Sequence, residues 1–358
     1  MQKKSVLCQL INIPLNMMDF SRACISQISI HKIEPNLKDI WFSKQPVGLL
    51  KDEHNKKITA VLLKGFNMEA PYEFSKIKIN STHHTQHLIG QFFNDSYDFH
   101  EITKDLTEKF ASIVPEEKKQ EGEFIVSVFH DIIINGQSNI GLGIFKTSTK
   151  EKFIQLKRSG LTYSITIAEG INPRGLEESV LILQAPSDHG LNVYFKKNNY
   201  DFSSHYFIDH FLNAQPVQNN FFNTANHLNI LKSYFEDELE NEDPLEKIDK
   251  MNRSVEYFKN HDNFNSQEYE SAIFENPEHI AAFEKFRNNY AQDKNIEIVD
   301  EFEISSNAIK KNNRYIRSVI KLDKNFHIYV HGNRQNIVRG YDSEKGMFYY
   351  QLFFEEET

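Results

Sequence analysis

The sequence predicts an α+β protein: a mostly antiparallel sheet core with flanking helices, an acidic helical segment and a small C-terminal β-rich region. Three observations carry this expectation. Six short β-type runs fall within residues 123–197, separated by the turn-type sequences NGQ, SG, NPRG and DHG. That spacing leaves no room for crossover helices, so neighbouring runs pair antiparallel. Helical patterns stand before and after this block and do not alternate with it.

Residues 1–17 read as an N-terminal extension. Lys3 and Lys4 followed by VLCQLINIPL imitate a weak signal peptide, but Asn12, Pro14 and Asn16 interrupt the apolar stretch and no cleavage site follows. Organised sequence opens at Met18, and the β-branched Ile25, Ile28, Ile30 and Ile33 favour a strand. Residues 52–66 carry acids in front of an apolar face and predict a helix. HHTQHLIGQFFND (83–95) and DFHEITKDLTEKFASI (98–113) predict two more. Asp98 suits the cap of the second, with Glu101 three residues on as in a capping box, and Pro115 stops it.

The six β-type runs are 123–134, 139–148, 152–157, 162–171, 179–186 and 191–197. Phe124, Val126, Val128, Ile140, Leu142, Ile144, Leu181 and Leu183 alternate along them and are expected to point into one core. Gly141 and Gly143 are expected to allow close strand packing. Helices return at 203–214, at 224–239 behind Asn223 or Thr224 as cap, and across 244–290, where Pro244 and Pro277 suit helix starts. A short helix is expected at 305–312, then strands at 314–322, 326–332 and 347–356. The expected divisions are 18–222 for the α+β domain with the central sheet, 223–304 for the acidic helical segment, and 305–358 for the β-rich region with a basic patch.

Composition narrows the function. The 358 residues include 29 Phe and 15 Tyr, enough aromatic volume to fill cores that are lean in aliphatic residues. Two cysteines exclude a disulfide scaffold and fit a reducing, cytoplasmic compartment. No run of 18 apolar residues exists, so no membrane-spanning helix is expected. A net charge of −9 argues against a uniformly basic DNA-coating protein. The average hides an asymmetry, however. Residues 231–304 carry 20 Asp/Glu and 8 Lys/Arg, a net of −12. Residues 305–345 carry 9 Lys/Arg and 3 Asp/Glu, a net of +6.

Catalytic patterns are weak. His83 and His87 share a helix face at ligand spacing, with His84 beside them, but no zinc-protease Glu and no third ligand accompany them. His130-Asp131 and the trio His205, Asp209 and His210 have the side chains for acid–base work, yet no nucleophile motif joins them. The glycines of NIGLGIF form no phosphate loop. No catalytic residue, metal or cofactor is expected, and the chain reads as a non-enzyme.

The basic residues are the stronger signal. Lys310, Lys311, Arg314, Arg317, Arg334 and Arg339 are candidate DNA contacts, because Lys and Arg neutralise phosphates while the interleaved Asn333, Gln335 and Asn336 suit base edges or sugars. HGNRQNIVRG reads as a polar loop that presents Arg334. The plain alternative is a solvated surface paired with the preceding acidic segment. A second candidate cluster lies on the sheet: Lys146, Lys150, Lys152 and Arg158, with Lys157 and Arg174 beside them. Charged hairpin turns are the ordinary reading of that cluster.

DFSRACISQISIHKIEPN, GEFIVSVFHDI with NIGLGIFKTSTKEKFI, VYFKKNNYDFSSHYFIDHFLN and FHIYVHGNRQNIVRGYDSEKGMFYYQLFF together resemble the bacterial nucleoid-associated protein family of the NdpA/YejK type, over residues 18–356. The resemblance implies a cytoplasmic, nucleoid-located protein linked to DNA and to type II topoisomerase subunits. It brings no catalytic residue and no map of DNA contacts. Two readings follow. The first is a non-catalytic protein that binds DNA through local basic patches. The second is an interaction protein that reaches DNA through a partner such as a type II topoisomerase subunit, using its acidic helical segment. A homo-oligomer is open in either.

Overall fold

Strands at the centre of a sheet that is covered on both sides must be apolar at nearly every position. The computed structural model shows that arrangement. It describes residues 18–354, apart from 35–39, 49–50, 67–69, 76–82, 115–120, 149, 173–175, 177, 185–189, 197–205, 239–243, 275, 295, 313–318, 323–325 and 330–335, together with residue 356. The expected extension at 1–17 lies outside the described residues. The chain divides into two units, Met1–Val217 and Gln218–Thr358.

The first unit runs β1 (Met18–Asp19), β2 (Cys24–Ile33), β3 (Ile40–Trp41), α1 (Asp52–Leu63), β4 (Tyr72–Phe74), α2 (His83–Phe93), α3 (Phe99–Ile113), β5 (Gly122–Ile134), β6 (Gln137–Thr147), β7 (Lys150–Ser159), β8 (Thr162–Ile171), β9 (Glu178–Gln184), β10 (Leu191–Phe195), a π-helix (Tyr206–Leu212) and β11 (Ala214–Pro216). One antiparallel sheet takes the order β11-β4-β10-β9-β6-β5-β2-β3, with β1 pairing β5 at its end. The α+β class with a mostly antiparallel core is therefore what the structure shows. The six β-type runs all form strands, but β7 and β8 leave the sheet and pair with each other. β9 occupies the place beside β6, in register from Gly141 opposite Leu183 to Lys146 opposite Glu178.

The sheet has two buried faces and not the single core that the alternation suggested. Phe124, Val126, Val128, Leu142, Ile144, Val180 and Ile182 face one cluster, under α2, α3 and the π-helix. Leu181 and Leu183 point the other way, to a second cluster with Ile125, Phe129, Phe145 and the α1 residues Leu62 and Leu63. Ile140, near the start of β6, is exposed. A bulge explains how β5 serves both faces. Its register shifts between Phe129 and Ile132, and Asp131 takes φ +57°. The extra residue inverts parity, so Ile125 and Phe129 before it and Ile132 and Ile134 after it share one face. Gly141 and Gly143 stand on that same face. A Cβ on Gly143 would lie 2.6 Å from the Phe129 ring, and one on Gly141 would lie 2.7 Å from Ile132.

Asp98 caps α3 by accepting from the N–H groups of His100 and Glu101, while the Glu101 carboxylate pairs with Lys104. The contact between α3 and β2 is polar and buried. The Ser43 N–H donates to His31 Nδ1 at 3.3 Å, which leaves His31 Nε2–H to donate to Thr103 Oγ1 at 2.8 Å. The Thr103 hydroxyl in turn donates to the His100 carbonyl at 2.7 Å. His100 Nε2 donates to the Ser43 carbonyl at 2.9 Å, so its Nδ1 accepts from the Ser29 hydroxyl. Both imidazoles are satisfied in the neutral form. Burial, with smaller contributions from His100 and Lys104, pushes the His31 pKa down to about 4.

The second unit contains α4 (Asn220–Asp237), α5 (Pro244–Asn260), β12 (Asn263–Asn265), α6 (Ser266–Ile273), α7 (Pro277–Lys294), β13 (Glu301–Glu303), α8 (Ser306–Asn312), β14 (Val319–Leu322), β15 (Phe326–Tyr329), β16 (Ile337–Asp342) and β17 (Met347–Leu352). Its core is largely aromatic. Phe264 stacks on Phe258 at 5.4 Å and on Phe302 at 4.8 Å, and Tyr234 meets Phe274, Phe283 and Phe286 edge-on. α4 begins earlier than expected, and Asn219 is its cap, accepting from the Phe222 N–H. Thr224 is instead buried, and its hydroxyl accepts from the Ser305 N–H at 2.9 Å. IVRG, expected as the end of the HGNRQNIVRG loop, instead opens β16, which pairs with β17. Arg287 is held by Ser266 at 2.7 Å, Asp300 at 3.1 Å and the buried Glu270 at 3.3 Å. Burial raises the Glu270 carboxyl to about 7.

Leu142→Ala should destabilise the first unit by about 2–5 kcal/mol, and Gly143→Ala by about 1–3 kcal/mol through overpacking, as read by denaturant unfolding. Lys150→Ala, at an exposed ion pair, should leave the same curve nearly unchanged. Small effects from both core changes would refute the two-faced core. A pH titration tests the histidine contact. The unfolded chain protonates this imidazole near pH 6.5, while the folded chain keeps it neutral down to about 4. The unfolded state thus binds the extra proton in that window, and stability falls as pH drops through it. His31→Asn retains one donor and one acceptor, so its melting temperature should fall less steeply over that window than that of the parent chain.

Candidate nucleic-acid interface

The cations of the first unit divide by strand position. Lys146 lies on the face of β6 that also carries Leu142 and Ile144, between Phe124 on β5 and Glu178 on β9. It is buried, so it is not a surface contact for DNA. Lys150 opens β7 and donates to Glu123 Oε1 at 2.6 Å, a bond that raises its pKa above the ordinary lysine value. Nearby Lys32 bridges Glu34 at 2.9 Å and Glu121 at 2.7 Å. Lys152, Lys157 and Arg158 are exposed on β7, and Arg158 Nε donates to the Gly160 carbonyl at 3.2 Å. Lys152 and Arg158 share their face with Ile154 and Leu156, an apolar setting for a phosphate contact. Arg174 lies outside the described residues.

In the second unit, Lys310 and Lys311 occupy the last turn of α8, where the helix dipole favours cations. The buried Ala308 anchors that helix. Lys310 is exposed, and Lys311 Nζ sits 5.1 Å from the centroid of the Phe221 ring. Arg339 projects from β16. Register places it opposite Tyr350 and diagonal to Phe348, and its guanidinium lies 4.6 Å above the Phe348 ring. Tyr341 meets the same ring edge-on at 5.0 Å. Phe348 is 64% exposed and Tyr341 56% exposed. The aromatic face under this arginine is not visible in a reading of HGNRQNIVRG as loop, because it needs the β16–β17 pairing. The cue was the alternation of IVRGYD in phase with MFYYQL across a Gly-containing turn. Arg314, Arg317 and Arg334 lie outside the described residues, as do the loop residues 331–335.

The other polar clusters are only partly within the described residues. Asp131 sits in the β5 bulge and accepts from the Ser138 hydroxyl at 2.9 Å, which accounts for the His130-Asp131 pair. Asp209 and His210 are exposed on the π-helix, while His205 lies outside the described residues. His87 is exposed on α2, and the side chains of His83 and His84 are outside the described set. Among the described residues no group of three metal-ligating side chains converges, and no helix is long and apolar enough to cross a membrane.

Neither the curated proteins nor the solved structures contain a match to the chain. A family model described as nucleoid-associated protein YejK matches residues 29–346, a span that takes in most of both units. The chain thus belongs to the nucleoid-associated protein YejK family.

Proposed function

We propose that this protein is a non-catalytic nucleoid component that contacts DNA directly through the cations of residues 305–345. Family membership carries the reading, and the local charge gives it a place. The segment holds a net of +6 within a chain of net −9. Lys310 and Arg339 stand exposed on it, and Arg339 is aligned over an open aromatic ring. Such a surface suits phosphate contact by the cations and stacking by Phe348 and Tyr341. The setting is the nucleoid, in the cytoplasm.

A second reading is favoured by the acidic block. Residues 231–304 have a net of −12, with Glu236, Asp237, Glu278 and Glu284 exposed on α4 and α7. Such a surface suits a basic partner, and a type II topoisomerase subunit is the partner implied by the family resemblance. The protein would then reach DNA through that partner.

A mobility-shift assay titrated with salt separates the two. Under direct binding, Lys310→Ala/Arg339→Ala should weaken affinity and flatten the salt slope by about one to two, one for each lost phosphate contact. Its fold should persist, because exposed charges contribute little to stability. Purified protein with no salt-dependent DNA binding, but with retention of a basic partner from nuclease-treated lysate, would establish the second reading instead.

A further inference from the structure

The β7–β8 hairpin is a two-stranded sheet of its own, with every residue of β7 and the first six of β8 exposed. Gly160, at φ +59°, sets its tight turn beside Leu161. Register sorts its side chains cleanly. One face carries Lys152 with Glu169, Ile154 with Ile167, Leu156 with Ile165 and Arg158 with Tyr163. The opposite face is mainly polar: Gln155 with Thr166, Lys157 with Ser164 and Ser159 with Thr162. On the first face Ile154, Ile165 and Ile167 are 74%, 71% and 72% exposed, Tyr163 is 69% and Leu156 61%. Leu161 at the tip is 99% exposed.

A lone two-stranded hairpin is marginal in water, and a continuous aliphatic stripe along it adds apolar area that water disfavours. Such a patch marks an interaction surface. We propose that this face is a dimerisation arm, occupied by the same face of a second copy of this chain about a two-fold axis running along the hairpin.

The charges select that axis. A two-fold perpendicular to the hairpin plane joins strand edges and leaves the aliphatic stripe in water. A two-fold across the strands lays β7 on β7 and sets Lys152 against Arg158 of the second copy, like against like. A two-fold along the hairpin lays β7 on β8 of the second copy. Ile154 then meets Ile167, and Leu156 meets Ile165. At one end Lys152 meets Glu169 of the second copy, and at the other Arg158 meets the Tyr163 ring. Symmetry makes each contact twice. The result has an apolar centre and a charged rim, the composition of a stable interface. Lys152 and Arg158 thereby serve assembly, and DNA contact is left to the second unit.

Sedimentation velocity on the full chain over micromolar concentrations tests this. The parent chain should be a dimer. Ile154→Glu/Ile165→Glu should be monomeric with an unchanged circular dichroism spectrum. Lys152→Glu sets like charges together twice at one end of the axis and should weaken dimerisation at least tenfold. Lys152→Glu/Glu169→Lys recreates the pairing and should restore it, which also keeps the test valid if the isoleucine variant misfolds. A monomeric parent chain, or a dimer indifferent to the isoleucine changes, would overturn the proposal. A charge swap that fails to restore dimerisation would overturn the axis.

Discussion

The first unit depends on the pairing of β5 with β6, the two longest strands of its sheet at 13 and 11 residues. Both present apolar side chains to both faces, so neither face can be left to water. That single constraint requires α2, α3 and the π-helix on one side and α1 on the other. It also explains the local irregularities. The Phe129–Ile132 bulge keeps both halves of β5 in phase with the second core, and the glycines of β6 leave room there for the Phe129 and Phe145 rings. The sheet ends in strands of two and three residues, β3 and β11, and β11 carries Pro216. Short edges of this kind resist pairing with other chains. Against that frame, the long exposed strands of β7 and β8 stand out as the part of the unit with its own purpose.

The polar contact between β2 and α3 has a different logic. Ser29, His31, His100 and Thr103 are all buried, and His31 Nδ1 can accept from the Ser43 N–H only while that imidazole is neutral. A satisfied buried network of this kind specifies one docking of the helix on the sheet, where an aliphatic contact would tolerate sliding. Its weakness is acid. In the second unit the buried Glu270 carries the opposite dependence, since a carboxyl raised to about 7 binds its proton more readily when folded. His227 in the same unit, pushed down to about 4 mainly by burial, works against it and shares the sense of His31.

Much of the fold was legible because it rests on local signals. β-type runs bounded by turn sequences marked all six strands of the central block, and Asp98 marked the start of α3. What stayed hidden depends on contacts distant in sequence. One residue in αL conformation at Asp131 inverts the side of every later residue on β5, and no pattern of apolar positions announces it. Lys146 looked like surface because lysine usually is, yet its parity with Leu142 and Ile144 places it inside. The departure of β7 and β8 from the sheet follows from β9 taking the place beside β6, a competition between partners that spacing does not resolve. At the candidate interface, the cations were visible as composition. The aromatic face under Arg339 was not, because it needs the β16–β17 register.

Net charge is a poor guide to what such a chain touches. At physiological salt the Debye length is about 8 Å, so an approaching phosphate senses the cations near the point of contact and little of the acids beyond them. Residues 305–345 can therefore act as a basic surface although the chain as a whole is acidic. What the acidic block does alter is the approach. A net charge of −9 gives no long-range attraction to DNA, so association is not accelerated by steering. Any affinity must come from short-range contacts once the surfaces meet. The proposed contact at Arg339 is of that short-range kind, a guanidinium set 4.6 Å from the centroid of the exposed Phe348 ring.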